Sequence, residues 1–142
     1  MFFVPHVETS TGIILPDEYI KKVAAAVHAV GGLFVLDCIA SGTIWVDMKA
    51  LGVDVVISAP QKGWTGPAGI SMMMLSEAAT ARLDSTTSNS FSLSMNKWDA
   101  IMKAYEGGGH AYHATMPTEV IRDFHTVTLE AKRYGIPSLK AK

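Results

Sequence analysis

The chain has 142 residues, 49% of them hydrophobic and 18% charged, with a formal net charge of -1. That length is one domain's worth and buries roughly two thirds of its unfolded surface, and the apolar content excludes a disordered polymer. The near-zero charge argues against a nucleic acid or an acidic membrane surface as partner.

The opening MFFVP lacks the basic flank and apolar length of a signal peptide. No apolar run reaches the roughly 18 residues that cross a bilayer, and the single cysteine, Cys38, fits a reducing compartment. A cytoplasmic protein is expected. Residues 2–7 read as a buried strand, and ETSTG (8–12) as a hydroxyl-rich turn at its carboxyl end. Pro16, Asp17 and Glu18 open a helix, as proline and acids do near an amino end. Ile20, Val23, Ala24, Val27 and Val30 continue it at helical spacing, and Gly31-Gly32 end it. Residues 33–36 form a second strand that ends on Asp37. Residues 46–51 predict a short helix or turn, Gly52 breaks it, and Val53, Val55, Val56 and Ile57 form a third buried strand. This alternation is that of an α/β fold, a three-layer unit whose mostly parallel sheet is joined by right-handed crossovers.

Residues 70–75 (ISMMML) read as a further strand, joined by a loop too short for another crossover and so antiparallel or beyond the site. A helix capped by Ser76-Glu77 runs to about Leu83, and a Ser- and Thr-rich exposed loop covers 84–94. A helix over 95–105, a glycine break at 107–109 and a compact polar loop, HAYHATMP (110–117), follow. A last helix, capped by Thr118, ends at Tyr134, and GIPSLKAK trails after it. A strand at the very start and a bare tail at the end suggest an interior piece of a larger protein.

The chemistry centres on VDVVISAPQKGWTGPAG (53–69). Pro60 ends the strand because it has no N–H for a ladder. Lys62 therefore sits just past a strand's carboxyl end, where open α/β sheets place their ligands. Gly63, Gly66, Pro67 and Gly69 exclude a regular element after it. A lysine on a rigid strand end suits covalent chemistry with an aldehyde; the plain reading is a solvated loop lysine. Asp37 ends an apolar strand, LFVLD, and is expected to be desolvated and to need a cation. That cation is either Lys62 or the protonated ring nitrogen of a cofactor. If their strands are neighbours, the two stand roughly 5–10 Å apart, room for a flat ring. Pyridoxal phosphate needs such a pair, an amine for its aldehyde and an acid for its pyridine nitrogen. A structural ion pair or a helix cap is the alternative.

Thr9, Ser58, Gln61 and Thr65 add neutral donors suited to a phenolate or a phosphate. Neither glycine-rich nucleotide fingerprint, GxGxxG or GxxxxGK[ST], occurs. His110 and His113 have no carboxylate or thiol close in sequence to complete a metal set, which favours a loop or interface role and no metal. Cys38 should turn to the face opposite Asp37 as a packed thiol, and Met72, Met73 and Met74 read as core filling.

Four motifs, HVETSTG (6–12), VLDCIAS (35–41), APQKGWTGPAG (59–69) and YHATMP (112–117), together resemble the class V pyridoxal-phosphate-dependent aminotransferases of the alanine–glyoxylate and serine–glyoxylate type. Their order and spacing match over nearly the whole chain. The resemblance implies a fold-type I enzyme, with residues 1–142 as the central part of its cofactor-binding large domain. The N-terminal phosphate-loop segment and the C-terminal small domain would be absent. It implies transamination between an alanine- or serine-type amino acid and a 2-oxo acid such as glyoxylate, with pyridoxal 5'-phosphate as cofactor. Lys62 matches the lysine that bonds the cofactor and moves the substrate's proton, and Asp37 the acid that keeps the pyridine nitrogen protonated. Ile39 matches the apolar residue against the ring, Thr9 the hydroxyl on the ring's 3′ oxygen, and Gln61 a phosphate ligand. Tyr112 and Thr115 match residues that reach the phosphate of a neighbouring subunit, implying a homodimer with shared sites. Pro60 replaces a serine of some relatives, at the cost of a phosphate contact, and Trp64 would narrow the substrate pocket. The alternatives are a fragment without catalytic activity, the isolated chain being expected to be inactive, and a cysteine desulfurase or lyase of the same fold. Cys38 is poorly placed for desulfurase chemistry.

Overall fold

The computed structural model describes residues 1–42, 44–135 and 138, so most of the expected tail lies outside the described residues. In chain order the elements are β1 (Phe2–Pro5), β2 (Val7–Glu8), β3 (Ile13–Ile14), α1 (Asp17–Ala29), β4 (Phe34–Asp37), α2 (Met48–Leu51), β5 (Val55–Ser58), β6 (Met72–Leu75), α3 (Glu77–Asp84), α4 (Met95–Glu106) and α5 (Thr118–Tyr134). They divide into two compact units. One comprises Met1–Ser76 with the segment from Pro117 onward, the other Glu77–Met116.

The first unit is built on a four-stranded sheet of order β1-β4-β5-β6, in which β1, β4 and β5 are parallel and β6 is antiparallel. The connection from Ser58 to Met72 holds no helix, and without a crossover the chain returns in the opposite direction. Strand β4 is apolar throughout because both of its faces are covered: Phe34 and Leu36 on one and Val35 on the other are all buried. Phe34 and Leu36 pack with Ile20 and Ala24 of α1, Leu51 of α2, Val53, Val56 and Cys38. Ile20, Phe34 and Leu36 are fully buried, each contributing roughly 1.5–3 kcal/mol.

Four expectations need correction. Met73 and Met74 of β6 are 42% and 43% exposed, so the methionine run is not core filling throughout. Strand β1 is not buried: Phe2 and Phe3 are 49% and 61% exposed, because β1 is an edge strand paired only to β4. Val30 lies outside the buried stripe of α1; the helix stops at Ala29, and Gly31 at φ +68° turns the chain away. The N-cap of α5 is Pro117, with no side-chain cap bond. Thr118 is already helical, past the position from which a cap hydroxyl reaches the free amides.

At the amino ends of β4 and β5 a buried carboxylate ties the sheet together. Asp54 accepts the Phe34 N–H at 2.8 Å and the Ser76 hydroxyl at 3.1 Å, and its Oδ2 lies 2.7 Å from His28 Nε2. Its backbone carbonyl accepts the Ser76 N–H at 2.8 Å. Burial works to raise the Asp54 carboxyl, but its bonds to the Phe34 amide, His28 and Ser76 together outweigh this and hold it below the usual carboxylate range.

In the second unit Asn96 Nδ2 donates to the carbonyls of Leu83 (2.9 Å) and Thr86 (3.4 Å), and the Trp98 indole donates to Ser92 (2.8 Å). The His113 ring sits 4.3 Å from that of Phe91 and 5.4 Å from that of Trp98. Its Nε2 lies 2.7 Å from the Phe91 carbonyl, so His113 is a loop-packing residue, as its sequence context suggests.

Candidate active site

Parallel pairing puts the carboxyl ends of three neighbouring strands on one edge, with Pro5 opposite Asp37 and Asp37 opposite Ile57. Adjacent strands stand about 4.8 Å apart. From this edge rise the β2–β3 hairpin with Thr9, the turn after Asp37 with Ile39, and the loop of residues 59–71 with Gln61 and Lys62. Five expected site residues thus share one rim. Tyr112 and Thr115 lie in the second unit, bonded to each other at 3.0 Å between hydroxyls, with Tyr112 78% exposed.

The hairpin turn is locked by Glu8, whose carboxylate accepts both the hydroxyl and the N–H of Ser10, at 2.7 and 2.9 Å. These bonds, the hydroxyl's first, hold the Glu8 carboxyl below its ordinary value. They leave the Thr9 side chain exposed on the turn.

Asp37 is half-buried rather than desolvated, since it is the last residue of its strand. Its Oδ1 accepts the Ile39 N–H at 2.9 Å, fixing the turn that carries Ile39. Among the described residues Oδ2 has no partner, and Asp37 forms no ion pair with Lys62. The structural ion pair is not realised; the local backbone cap is.

Lys62 is exposed, and among the described residues its amine makes no hydrogen bond or ion pair. Its loop is nonetheless fixed: the Thr65 N–H donates to the Lys62 carbonyl (3.0 Å) and the Gly66 N–H to the Pro60 carbonyl (2.9 Å). Thr65 is held at φ +57°, alone among the described non-glycine residues in a positive φ. For a β-branched residue that costs roughly 1–2 kcal/mol, a strain that surrounding structure has to impose. Gly66 is needed where it stands, because a Cβ there would lie 3.0 Å from Phe124 Cδ2 and 3.1 Å from Pro60 Cβ.

Two neighbours of Lys62 have roles the sequence did not suggest. The Ser58 hydroxyl is buried and engaged, donating to the Cys38 carbonyl at 3.4 Å and accepting the Trp64 indole N–H at 3.3 Å. It is not a free donor for a ligand. Trp64 packs edge-on against Phe124 of α5, with ring centroids 6.2 Å apart, so it braces the loop. Pro60 is fully buried and Gln61 exposed. Cys38 is buried with its Sγ 3.9 Å from His6 Nδ1. Burial pushes its thiol up to about 11, with Asp37 adding to the rise and Ser41 opposing it. It is a packed thiol, as expected. Asp54 escaped notice in the sequence; a lone acid between Val53 and Val55 was its only signal.

The mostly parallel sheet with flanking helices is that of the fold-type I aminotransferases. The model of the class-V aminotransferases matches residues 1–130, and the chain belongs to that family. It is 32% identical over 122 residues to a 2-aminoethylphosphonate–pyruvate transaminase of Syntrophobacter fumaroxidans, covering 85% of this chain and 31% of the relative. It is 29% identical over 140 residues to alanine–glyoxylate aminotransferase 1 of Saccharomyces cerevisiae, covering 94% and 36%. The crystal structure of an alanine–glyoxylate aminotransferase from Nostoc sp. superposes with a TM-score of 0.83 at 26% identity, over 98% of this chain and 36% of that one. The chain thus spans about a third of the length of these relatives.

Class-V aminotransferases depend on pyridoxal 5'-phosphate, and the residues present fit its reactive half. Among the described residues Lys62 offers an unengaged amine for an aldehyde, and Asp37 Oδ2 an unengaged oxygen for a ring N–H. Among the described residues no group of three or more His, Cys, Asp or Glu is placed to hold a metal ion. None of their helices is long and apolar enough to cross a membrane.

Proposed function

We propose that these residues are the central part of the cofactor-binding large domain of an aminotransferase. It moves an amino group from an alanine- or serine-type donor to a 2-oxo acid such as glyoxylate. The observation that carries this reading is the placement of Asp37 and Lys62 at the carboxyl ends of adjacent parallel strands in a class-V chain. Relatives named for alanine–glyoxylate and 2-aminoethylphosphonate–pyruvate exchange support an amino donor and a 2-oxo acid acceptor.

When bound, pyridoxal 5'-phosphate supplies an aldehyde for an amine and a ring that draws electrons from the bond broken at the donor's α-carbon. Lys62 is the covalent anchor. Lys62 Nζ would also serve as the general base that takes the donor's α-proton and the general acid that returns it. Asp37 Oδ2 would pair with the N–H of the ring, and the bond from Ile39 to Oδ1 keeps the carboxylate aimed. Ile39 would pack against the ring, Thr9 would donate its hydroxyl to the ring oxygen, and Gln61 would hold the phosphate. Tyr112 and Thr115 reach the phosphate in a second copy of the chain, giving a homodimer with shared sites. The exposure of Tyr112 supports that role. The free Cys38 thiol supports a reducing, cytoplasmic compartment. By themselves the 142 residues are expected to be inactive in transamination.

Incubation with pyridoxal 5'-phosphate, borohydride reduction and peptide mapping tests this reading. Modification confined to Lys62 is expected. Modification spread over surface lysines, or none, overturns it for this chain.

A further inference from the structure

We propose that the Ser58 hydroxyl, with the Trp64 indole, is a positioning device that sets the Lys62 loop against the end of the Asp37 strand. The inference rests on the functional reading above and adds to it the residues that fix the spacing of its two central groups.

Ser58 ends β5 and is 3% exposed. Its Oγ stands 3.4 Å from the Cys38 carbonyl and 3.3 Å from Trp64 Nε1. A carbonyl only accepts and an indole N–H only donates, so both directions are fixed: Ser58 gives its proton to Cys38 and takes that of Trp64 on a lone pair. Cys38 follows Asp37 directly, and Trp64 is two residues past Lys62. One buried hydroxyl therefore joins the backbone beside the carboxylate to the loop that carries the amine. Both bonds are long, so their effect lies in direction more than in strength. Phe124 fixes the indole edge-on. A Cβ on Gly42 would lie 2.5 Å from Gly63 Cα, so the loops have no room to slide together. The strained Thr65 lies in the same braced turn. Neither Ser58 nor Trp64 touches the reacting atoms in this scheme; each acts through Lys62.

The test uses Trp64→Phe, which keeps a ring against Phe124 but removes the N–H, together with Ser58→Ala and the double variant. Without cofactor, amide hydrogen exchange at Thr65 and Gly66 is expected to speed up about fivefold in each single variant, as for loss of one neutral hydrogen bond. Exchange in α1 and β4 stays unchanged. With pyridoxal 5'-phosphate, both singles lower the share of borohydride label on Lys62 and shift the pH midpoint of the bound cofactor's visible absorbance, which a loss of stability alone does not move. The double variant matches Ser58→Ala, because Trp64→Phe deletes a bond already gone. Wild-type exchange at Thr65 and Gly66 in the singles, or additive effects in the double, overturns the positioning role. Wild-type protein with no label on Lys62 instead overturns the functional reading, while the exchange data still decide whether Ser58 joins the loops.

Discussion

Gly42 and Gly63 meet backbone to backbone: a Cβ built on Gly42 would lie 2.5 Å from Gly63 Cα and 2.7 Å from its nitrogen. Gly42 also sits at φ +44°, which L side chains rarely adopt. Gly42→Ala therefore either pushes the Lys62 loop away or strains its own turn. It should cost roughly 1–3 kcal/mol by overpacking, read as a lower denaturant midpoint, and should reduce borohydride capture at Lys62. Unchanged stability and capture would show that the two loops separate freely.

Acid sensitivity should centre on Asp54. Its bonds hold the folded carboxyl below the usual carboxylate range, so its contribution is fully present above about pH 4 and is lost as pH falls through the folded value. The urea midpoint of the wild type should therefore fall more steeply below about pH 4 than that of Asp54→Asn, the two curves converging in acid. Asp54→Ala also strands the buried Phe34 amide, for roughly 1–3 kcal/mol at neutral pH. Parallel acid limbs in wild type and Asp54→Asn would assign the sensitivity elsewhere.

Cys38 should be inert. With its thiol pushed up to about 11, about one molecule in a thousand is thiolate at pH 8, against about a quarter for an ordinary cysteine. Alkylation by iodoacetamide should be at least about 100-fold slower in the folded chain than in urea. Rapid native labelling would reopen persulfide chemistry at this position.

Lys62→Ala should abolish site-specific capture of the cofactor, and retained transamination by that variant in a longer chain would sink the assignment. Asp37→Ala should weaken cofactor binding less drastically, because the carboxylate is half-exposed. One charge-assisted hydrogen bond amounts to about 1.5–3 kcal/mol, or roughly 10- to 150-fold in affinity. A change under threefold in a binding titration counts against its pairing with the ring.

The sequence reveals most clearly what is local and periodic. Strands β4 and β5 are apolar runs with Asp37 and Pro60 at their exits, and the positions of Asp37 and Lys62 at neighbouring strand ends followed from that. The antiparallel turn of β6 followed from the short loop before it. What it hides is partnership across the fold. An apolar FFV cannot announce whether one or two strands flank it, so β1 read as buried. Ser58 looks like any hydroxyl near a lysine until Cys38, 20 residues before it, and Trp64, six after it, are placed against it. Asp54 draws its three partners from positions 28, 34 and 76. The division into two units at Ser76 and Pro117 coincides with no change in composition.

The Asp54 cluster lies at the opposite ends of β4 and β5 from Asp37 and Lys62. What secures the fold and what is proposed to perform the chemistry are thus set a strand's length apart, with the fully buried Leu36 between them. Distant, unshared partners make substitutions nearly independent. Substitutions on the rim that carries Thr9, Ile39 and Gln61 should therefore change what the rim binds while the far end keeps the sheet in register.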